Sequence, residues 1–438
     1  MSTPRSILIV GGGFTGLTAA LRLSADKHFS ITLVESSSQL GGLAAGFPLA
    51  GTSLEKTYHH LFLTDSAILD LVKELGLQDK LIWCESSVGI FRDHKIHPFK
   101  TPLDLLRFAP CSFLGRLRTG FTALYLKRQK NWRGFIRQTA QDWMTRACGR
   151  SAMAAIWTPL LKGKFGPHYD SVSMAWFWAR IHTRANSRSG NSGEKLGYFR
   201  GGFNVVTAAL ENEIRRRGVH IQTGATVEKF SAEERAAVIN GEKVSFDFCL
   251  FTGPSPAFAK LLPAQNSFND YAAKLRSIEY LGAICLIFTS DQSLGDFYWV
   301  NVNEPDAPFL VFIQHTRLVG KENYGGKNVY YIGAYLTPDA KVFSLPDNEL
   351  AELWFGYLKK MFPAFDPPQV SEQHIFRFRA AQHIVDTDYE EKIPAYQTPL
   401  PGVFLANFSQ IFPEDRGTNF AVREGEKIAA LIRRETGC

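Results

Sequence analysis

The chain has 438 residues, 45% of them hydrophobic and 21% charged; at roughly 150 residues per domain this predicts two or three folding units and excludes a disordered or collagen-like chain. Lysine and arginine exceed aspartate and glutamate by 49 to 42, a net charge of +7, and with no binding module to accompany it this excess excludes nucleic acid as a partner. Six cysteines at 84, 111, 148, 249, 285 and 438 form no CxxC or CxxxC pair, so neither a metal site nor a disulfide framework is expected, and a reducing, cytoplasmic setting fits best.

The first predicted strand, Ser6–Val10, runs directly into Gly11-Gly12-Gly13-Phe14-Thr15-Gly16, then a helix over Leu17–Ser24 and a strand Ser30–Val34 ending at Glu35. Four apolar residues followed at once by glycines make a strand, not the longer apolar core of a signal peptide. No stretch of about 18 uncharged apolar residues predicts a transmembrane helix. Gly11, Gly13 and Gly16 satisfy GxGxxG: the first for the turn, the second for approach of backbone amides to a pyrophosphate, the third for helix-on-strand packing. Phe14 and Thr15 lie within that cradle, and Glu35, 19 residues beyond Gly16, supplies the carboxylate that receives ribose hydroxyls. Gly41, Gly42 and Leu43 then offer a second loop of amides near the diphosphate, which favours FAD over a nicotinamide coenzyme.

A helix follows at Ser66–Leu75, and mostly helical sequence at 101–188 is interrupted by Pro110 and Pro159. From Arg92 to Arg137 eleven basic residues face two acids, Asp93 and Asp104, leaving the rest of the chain near −2. Phe99, Phe113, Leu114, Phe121, Leu124 and Tyr125 are interleaved among these charges. Two readings stay open for this segment: a solvated basic face over an ordinary core, or contact with an anionic membrane surface or lipid substrate, which would make the protein peripheral to the inner face of a membrane. Further along, Arg180 and Arg184 fall four apart on a helix, with Arg188 a turn later, a stripe able to clamp a diphosphate or carboxylate unless it is a solvated face.

Strand and helix alternate again over 196–262, with Gly201-Gly202 before a helix Val205–Arg217 and strands at Val219–Thr223, Ala225–Phe230 and Phe246–Thr252. After Pro263 the β-branched and aromatic runs Tyr280–Phe288, Phe297–Val302, Phe309–Gln314 and Val329–Leu336 predict an antiparallel sheet. A helix Asp347–Phe362, a last strand Val403–Asn407 and a final helix from about Asn419 to Arg434 complete the chain. The predicted fold is α/β: a discontinuous Rossmann-like FAD-binding domain (1–90, 196–262 and 390–438), a helical, basic insertion (91–195) and an antiparallel-sheet substrate domain (263–389) that roofs the flavin.

The fingerprint through Gly42 resembles the flavin-containing amine oxidase superfamily. Trp157-Thr158-Pro159-Leu160-Leu161-Lys162-Gly163-Lys164-Phe165-Gly166 and Gly197-Tyr198-Phe199-Arg200-Gly201-Gly202 resemble its protoporphyrinogen oxidase-like branch. The resemblance implies a second FAD contact through the backbone at Val227, in Gly224-Ala225-Thr226-Val227, and a third at the carboxy-terminal strand and helix, through Asn407, Gly417, Thr418 and Asn419. Where many relatives carry Gly-Asp at the end of that strand, this chain has Ala406-Asn407. No cysteine lies near the last helix, so the FAD is expected to be non-covalent. Arg377 and Arg379 fall where amine oxidases place an aromatic wall, which argues against small-amine oxidation.

Tyr58-His59-His60-Leu61-Phe62-Leu63-Thr64-Asp65 partly resembles the His-Ile-Phe-His-Thr-Asp stretch of UDP-galactopyranose mutases, with His60 at the first histidine. That likeness makes His60 the first candidate to tune the flavin or accept a proton, unless it is a structural histidine beside a strand end. Lys164 is a second candidate, as a proton relay. Together these features predict an FAD-dependent oxidoreductase moving hydride from an apolar, membrane-partitioned small molecule to flavin N5. Two alternatives remain: a redox-neutral isomerase of a nucleotide- or lipid-linked sugar, with Arg180 and Arg184 holding phosphate, and a non-enzymatic flavoprotein sensor at a membrane. Substrate, electron acceptor and oligomeric state are not written in the sequence.

Overall fold

The computed structural model describes residues 4–187, 194–231 and 233–436; Arg188 and Cys438 lie outside them. Five parallel strands form the central sheet, in the order Val403–Leu405, Phe248–Phe251, Arg5–Val10, Phe29–Glu35, His220–Thr223. Their sequences, such as Ile7-Leu8-Ile9-Val10, are continuous apolar runs because both faces of the sheet are covered. The first helix, Phe14–Leu23, and the last, Thr418–Thr436, pack together on one side. Gly425 permits this contact: a methyl there would sit 2.6 Å from the Thr15 carbonyl oxygen and 2.7 Å from Thr18 Cβ.

A three-stranded meander, Val227–Ser231, Ala236–Ile239 and Glu242–Ser245, leans on the sheet. Its first strand is tied to the end of Phe29–Glu35 by Ala225 N–H donating to the Glu35 carbonyl at 2.9 Å and Gly224 N–H to that of Ser37 at 2.8 Å.

The second sheet has seven strands, in the order Val370–His383, Tyr280–Ser290, Asn328–Leu336, Val311–Gln314, Trp299–Val302, Val88–Arg92, Lys95–Pro98. It is antiparallel except where Trp299–Val302 runs parallel to Val88–Arg92. The hairpin 88–98 therefore pairs with the sheet that the sequence predicts only beyond Pro263. The second strand of this sheet, Tyr280–Ser290, is buried along its whole length, with Ile284, Leu286 and Phe288 packed against the helix Asp347–Met361. The two sheets share a core, and a helical layer packs against the antiparallel one: Pro102–Arg107, Phe113–Arg128, Ala140–Cys148, Thr158–Phe165 and Met174–Asn186, around a core that includes Met144, Phe165, Trp176 and Trp178. The observed architecture is the predicted combination of a parallel nucleotide-type sheet, helices and an antiparallel sheet. No helix among the described residues is long and apolar enough to cross a membrane.

Candidate functional site

The glycine loop is built as its chemistry requires. Gly11 adopts φ +112°, and a methyl on Gly16 would lie 2.0 Å from the Gly11 carbonyl oxygen, so both positions are closed to larger residues. Gly13 is different. Its φ is −77°, open to any residue, and a methyl there would meet only Gly42 Cα, at 3.8 Å. The two glycine loops thus face each other, joined by Gly41 N–H donating to the Gly12 carbonyl at 2.8 Å. The helix Phe14–Leu23 starts without a side-chain cap and without an acidic residue in its first turn. Its first amides, those of Phe14, Thr15 and Gly16, therefore lack intrahelical partners and favour an anion. The Glu35 carboxylate accepts from Gly12 N–H at 2.7 Å and from Ser37 N–H at 2.8 Å, which fixes it at the rim of this loop. An uncapped helix start, a cradle that a Cβ would fill and an anchored carboxylate fit a dinucleotide. Val227 is buried in one cluster with Val34, the neighbour of Glu35.

A cavity of about 280 Å³ is lined by Leu43 of the second glycine loop, by Tyr58, His59 and His60, by Lys164, Arg180 and Arg184 of the helical layer, and by Ala283–Cys285 and Gly333–Tyr335 of the antiparallel sheet. Its remaining wall is Asp415, Arg416, Gly417, Thr418 and Asn419 at the start of the last helix. The structure therefore brings His60, Lys164, Arg180, Arg184, Leu43, Gly417, Thr418 and Asn419 together, from positions up to 376 residues apart. Asn419 also accepts from the Ile68 N–H at 3.2 Å, fastening the helix Ser66–Glu74.

Asn407 is placed elsewhere. Its Nδ2 donates to the Gly253 carbonyl at 2.7 Å and to Ser255 Oγ at 3.2 Å, and its Oδ1 accepts from Ser409 N–H at 2.8 Å. The side chain is spent capping the turn 408–410 and is not among the residues lining the cavity. The strand before it ends at Leu405, two residues short of expectation. Arg377 pairs with Asp347 at 2.5 Å and Arg379 donates to the Pro338 carbonyl at 2.9 Å; neither lines the cavity. The aromatic surface is supplied instead by Tyr58, Trp299, Trp176 and Tyr335, with Tyr58 edge-on to Trp299 at 5.1 Å.

Charge in the cavity is organised around Asp415, a residue to which the sequence assigns no role. Its Oδ2 lies 3.0 Å from both Lys164 Nζ and Arg180 Nη1, and its Oδ1 accepts from the Trp176 indole N–H at 3.3 Å. Burial works to raise its pKa, but Lys164, Arg180 and Arg416 outweigh it and hold the carboxyl well below its ordinary range. Burial lowers that of Lys164, which also sits 5.5 Å from the Trp176 ring and 5.4 Å from the Tyr335 ring. Arg416 donates to the Tyr335 hydroxyl at 2.8 Å. For Tyr335 burial is again the largest influence, yet Arg416 and Lys164 together pull the phenol below its usual value.

Both histidines are neutral at pH 7. Burial, then the charges of Arg184 and Arg180, push His60 down to about 3, and its Nδ1 lies 3.3 Å from the Tyr298 hydroxyl. Burial takes His59 to about 4, and its Nδ1–H donates to the Thr57 carbonyl at 2.7 Å. A histidine as acidic as His60 is a poor proton acceptor but a good neutral hydrogen-bonding group. Arg184 faces the buried Glu194 at 3.8 Å. Cys285 also lines the cavity; burial raises its thiol to about 12, so it carries little thiolate.

A second cavity of about 770 Å³ abuts the first and shares Leu310, Ala334 and Tyr335 with it. Arg92, Arg150 and Lys162 lie along it with Glu304, Pro308 and Phe309.

Comparison with known proteins agrees with this geometry. The chain is 22% identical over 302 residues to coproporphyrinogen III oxidase of Staphylococcus aureus (strain NCTC 8325 / PS 47), covering 61% of this chain and 64% of that protein. It thus spans less than two thirds of the length of the first curated relatives it matches, 64% and 61%. Among solved structures, a protein of Exiguobacterium sp. 255-15 named as a protoporphyrinogen oxidase superposes with a TM-score of 0.79 at 18% identity, covering 99% of this chain and 100% of that one. Reduced UDP-galactopyranose mutase superposes with a TM-score of 0.76 at 15% identity, covering 99% and 96%. Likeness at that identity establishes the fold. The sequence profile described as flavin containing amine oxidoreductase matches residues 14–431. With a glycine cradle at one end and, at the other, a cavity walled by the second glycine loop, the start of the last helix and the antiparallel sheet, the chain belongs to the flavin containing amine oxidoreductase family.

Proposed function

We propose that the flavin is non-covalent FAD and that the protein oxidises a largely apolar small molecule at a C–H bond beside nitrogen or carbon. The observation that carries this reading is the composition of the cavity: one wall from the glycine loop and last helix, the opposite wall from the antiparallel sheet, and aromatic rings between. Gly11–Gly16 and Gly41-Gly42-Leu43 would hold the diphosphate, Glu35 the ribose and the backbone near Val227 the adenine end. Gly417, Thr418 and Asn419 would meet the ring end at a helix start, which stabilises negative charge. When bound, FAD supplies a two-electron acceptor for hydride.

The chain's own residues deal with the proton. Tyr335 is the best placed acceptor, because Arg416 at 2.8 Å and Lys164 above its ring stabilise the phenolate. Lys164, tied to Asp415, passes charge toward the helical layer. His60 stays neutral and orients the substrate through hydrogen bonding. Tyr58, Trp299 and Trp176 exclude water from the reacting carbon. The adjoining cavity, which shares Leu310, Ala334 and Tyr335 with the first, would take the remainder of a substrate larger than the inner chamber, such as a porphyrinogen or polyene, and Arg150 and Lys162 suit peripheral carboxylates on it.

A second reading, a redox-neutral sugar isomerase, is favoured by Arg180 and Arg184 on the cavity wall. Against it, Arg180 is paired with Asp415, and Arg184 faces Glu194. Anaerobic stopped-flow absorbance with coproporphyrinogen III, phytoene, putrescine and UDP-galactopyranose separates the two. The oxidase reading expects bleaching of the flavin by a porphyrinogen or polyene alone and recovery in air. It is overturned if none bleaches the flavin while dithionite-reduced protein interconverts the sugar nucleotide without net electron flow.

A further inference from the structure

The helix Phe113–Arg128 is built inside out. Its buried face consists of Gly115, Thr119, Thr122 and Leu126, residues that recur at helical spacing. A methyl at Gly115 would meet Cys111 Sγ at 2.8 Å, and the Thr119 hydroxyl is satisfied within the helix by the Gly115 carbonyl at 2.7 Å, so this small, polar face is the packed one. Phe113 and Leu114 (64% exposed), Phe121 (70%), Leu124 and Tyr125 point outward. Leu103 and Leu106, on the preceding helix, are exposed too. Seven of the nine large apolar side chains exposed among the described residues thus lie in this one segment, the others being Leu63 and Leu353. Burying large side chains and exposing small polar ones is the ordinary arrangement of a surface helix; its reversal marks a contact surface.

Charge identifies the partner. The segment 92–137 carries eleven cations against two anions, and Arg107, Lys127, Arg128, Lys130 and Arg133 are exposed around the apolar ridge. A second copy of this chain would bring the same positive charge to the contact and repel it. Aromatic and aliphatic side chains stand out from a 16-residue helix ringed by cations, the pattern that enters an anionic lipid headgroup layer. We propose that the helix Phe113–Arg128, with Leu103 and Leu106 beside it, docks the protein in the plane of an anionic lipid bilayer. Lys127, Arg128 and Lys130 contact lipid headgroups and Phe113, Phe121 and Leu124 enter the acyl boundary.

Two arginines in the same stretch are excluded from this role. Arg116 donates to the Cys111 and Leu106 carbonyls at 2.7 and 2.6 Å, and Arg118 to the Ala147 carbonyl at 2.9 Å and to that of Arg146. They hold the helical layer together. The docking helix is coupled to the site: the Trp178 indole, on the helix that carries Arg180 and Arg184, donates to the Gln129 carbonyl at 2.9 Å.

The test is co-sedimentation of flavin-loaded protein with phosphatidylcholine vesicles containing or lacking phosphatidylglycerol. The wild type is expected to bind the anionic vesicles, less so at high salt. Phe113→Ser/Phe121→Ser/Leu124→Ser and, separately, Lys127→Glu/Arg128→Glu/Lys130→Glu should each lower the partition coefficient at least tenfold with flavin content and Tm unchanged. Wild-type protein that stays in the supernatant overturns the proposal whatever the variants do, as does equal binding by the variants. A wild-type dimer in analytical ultracentrifugation that Phe121→Ser dissociates, with no vesicle binding, overturns it in favour of a second copy. Flavin reduction by a dispersed substrate is independent of these outcomes.

Discussion

Asp415→Asn removes one formal charge while keeping shape and most hydrogen bonding. The wild-type carboxylate lies 3.0 Å from both Lys164 and Arg180, and the side chains of Asp415 and Lys164 are only 11% and 14% exposed. Removing one partner of a pair at that depth costs about 3 to 5 kcal/mol. Lys164 sets a ceiling of its own, since giving up its proton at pH 7 from an ordinary value of 10.5 costs about 5 kcal/mol. Unfolding 438 residues carries an entropy near 0.9 kcal/mol/K at roughly 2.1 cal/mol/K per residue, so Tm should fall by about 3 to 5 °C. The sign with pH follows from the lysine. Without its counter-charge, Lys164 has a folded pKa still further below its unfolded value, so the unfolded state binds more protons and stability rises with pH across that window. The deficit against wild type should therefore shrink between pH 7 and pH 10. Circular dichroism melts of flavin-loaded protein at the two pH values provide the assay. A Tm loss below about 1 °C at pH 7, or a deficit unchanged at pH 10, refutes the view that Asp415 neutralises buried cations.

Gly13→Ala should fold with a Tm near wild type yet lose flavin at least tenfold, measured by absorbance of the purified protein, because its methyl enters the cradle facing Gly42 and nothing else. Gly16→Ala, whose methyl would lie 2.0 Å from the Gly11 carbonyl, should lower Tm even without flavin; equal behaviour of the two variants would count against the cradle. His60→Gln should keep flavin reduction within about threefold of wild type and His60→Ala should slow it about tenfold, with no inflection near pH 6.5 in stopped-flow rates, since the ring is already neutral above about 3. A histidine inflection that vanishes in His60→Gln contradicts this. Glu55 accepts from the Tyr198 hydroxyl at 2.6 Å and from Phe203 N–H, and burial raises its carboxyl from 4.5 to about 7. A raised acid stabilises the fold fully below about pH 4.5, and that stabilisation is lost as pH climbs through 7. Glu55→Gln should thus flatten the decline of Tm between pH 5 and 8, and parallel wild-type and variant profiles would dismiss the idea.

What the sequence made legible is what is local. The turn at Gly11, the approach at Gly13, the packing at Gly16 and the acid at Glu35 lie within 25 residues, so spacing alone states their chemistry. Asp415, Arg416 and Tyr335 carry no such local signal, because their meaning is a meeting: Lys164 and Asp415 are 251 positions apart. The weight placed on Asn407 came from resemblance at one position, and the structure shows a polar side chain absorbed by its own turn. The hairpin 88–98 straddles the boundary expected at residue 90, and its second strand lies in a basic stretch that carries no alternation of its own. In the helix Phe113–Arg128 the alternation of cations and large apolar residues was visible, but which face looks inward depends on Gly115, Thr119 and Thr122 meeting the neighbouring helices, a fact of packing and not of periodicity.

The order of strands in the parallel sheet has a consequence for biogenesis. Phe248–Phe251 hydrogen-bonds to Val403–Leu405, and Gly425 of the last helix closes over Thr15. During synthesis the flank of Phe248–Phe251 stays bare until residue 405 leaves the ribosome, about 8 to 30 s later at 5 to 20 residues per second. The strands already made therefore wait, with a naked β edge, for residues 403–425, and a ribosome that stops before them releases a chain whose first helix has lost its cover.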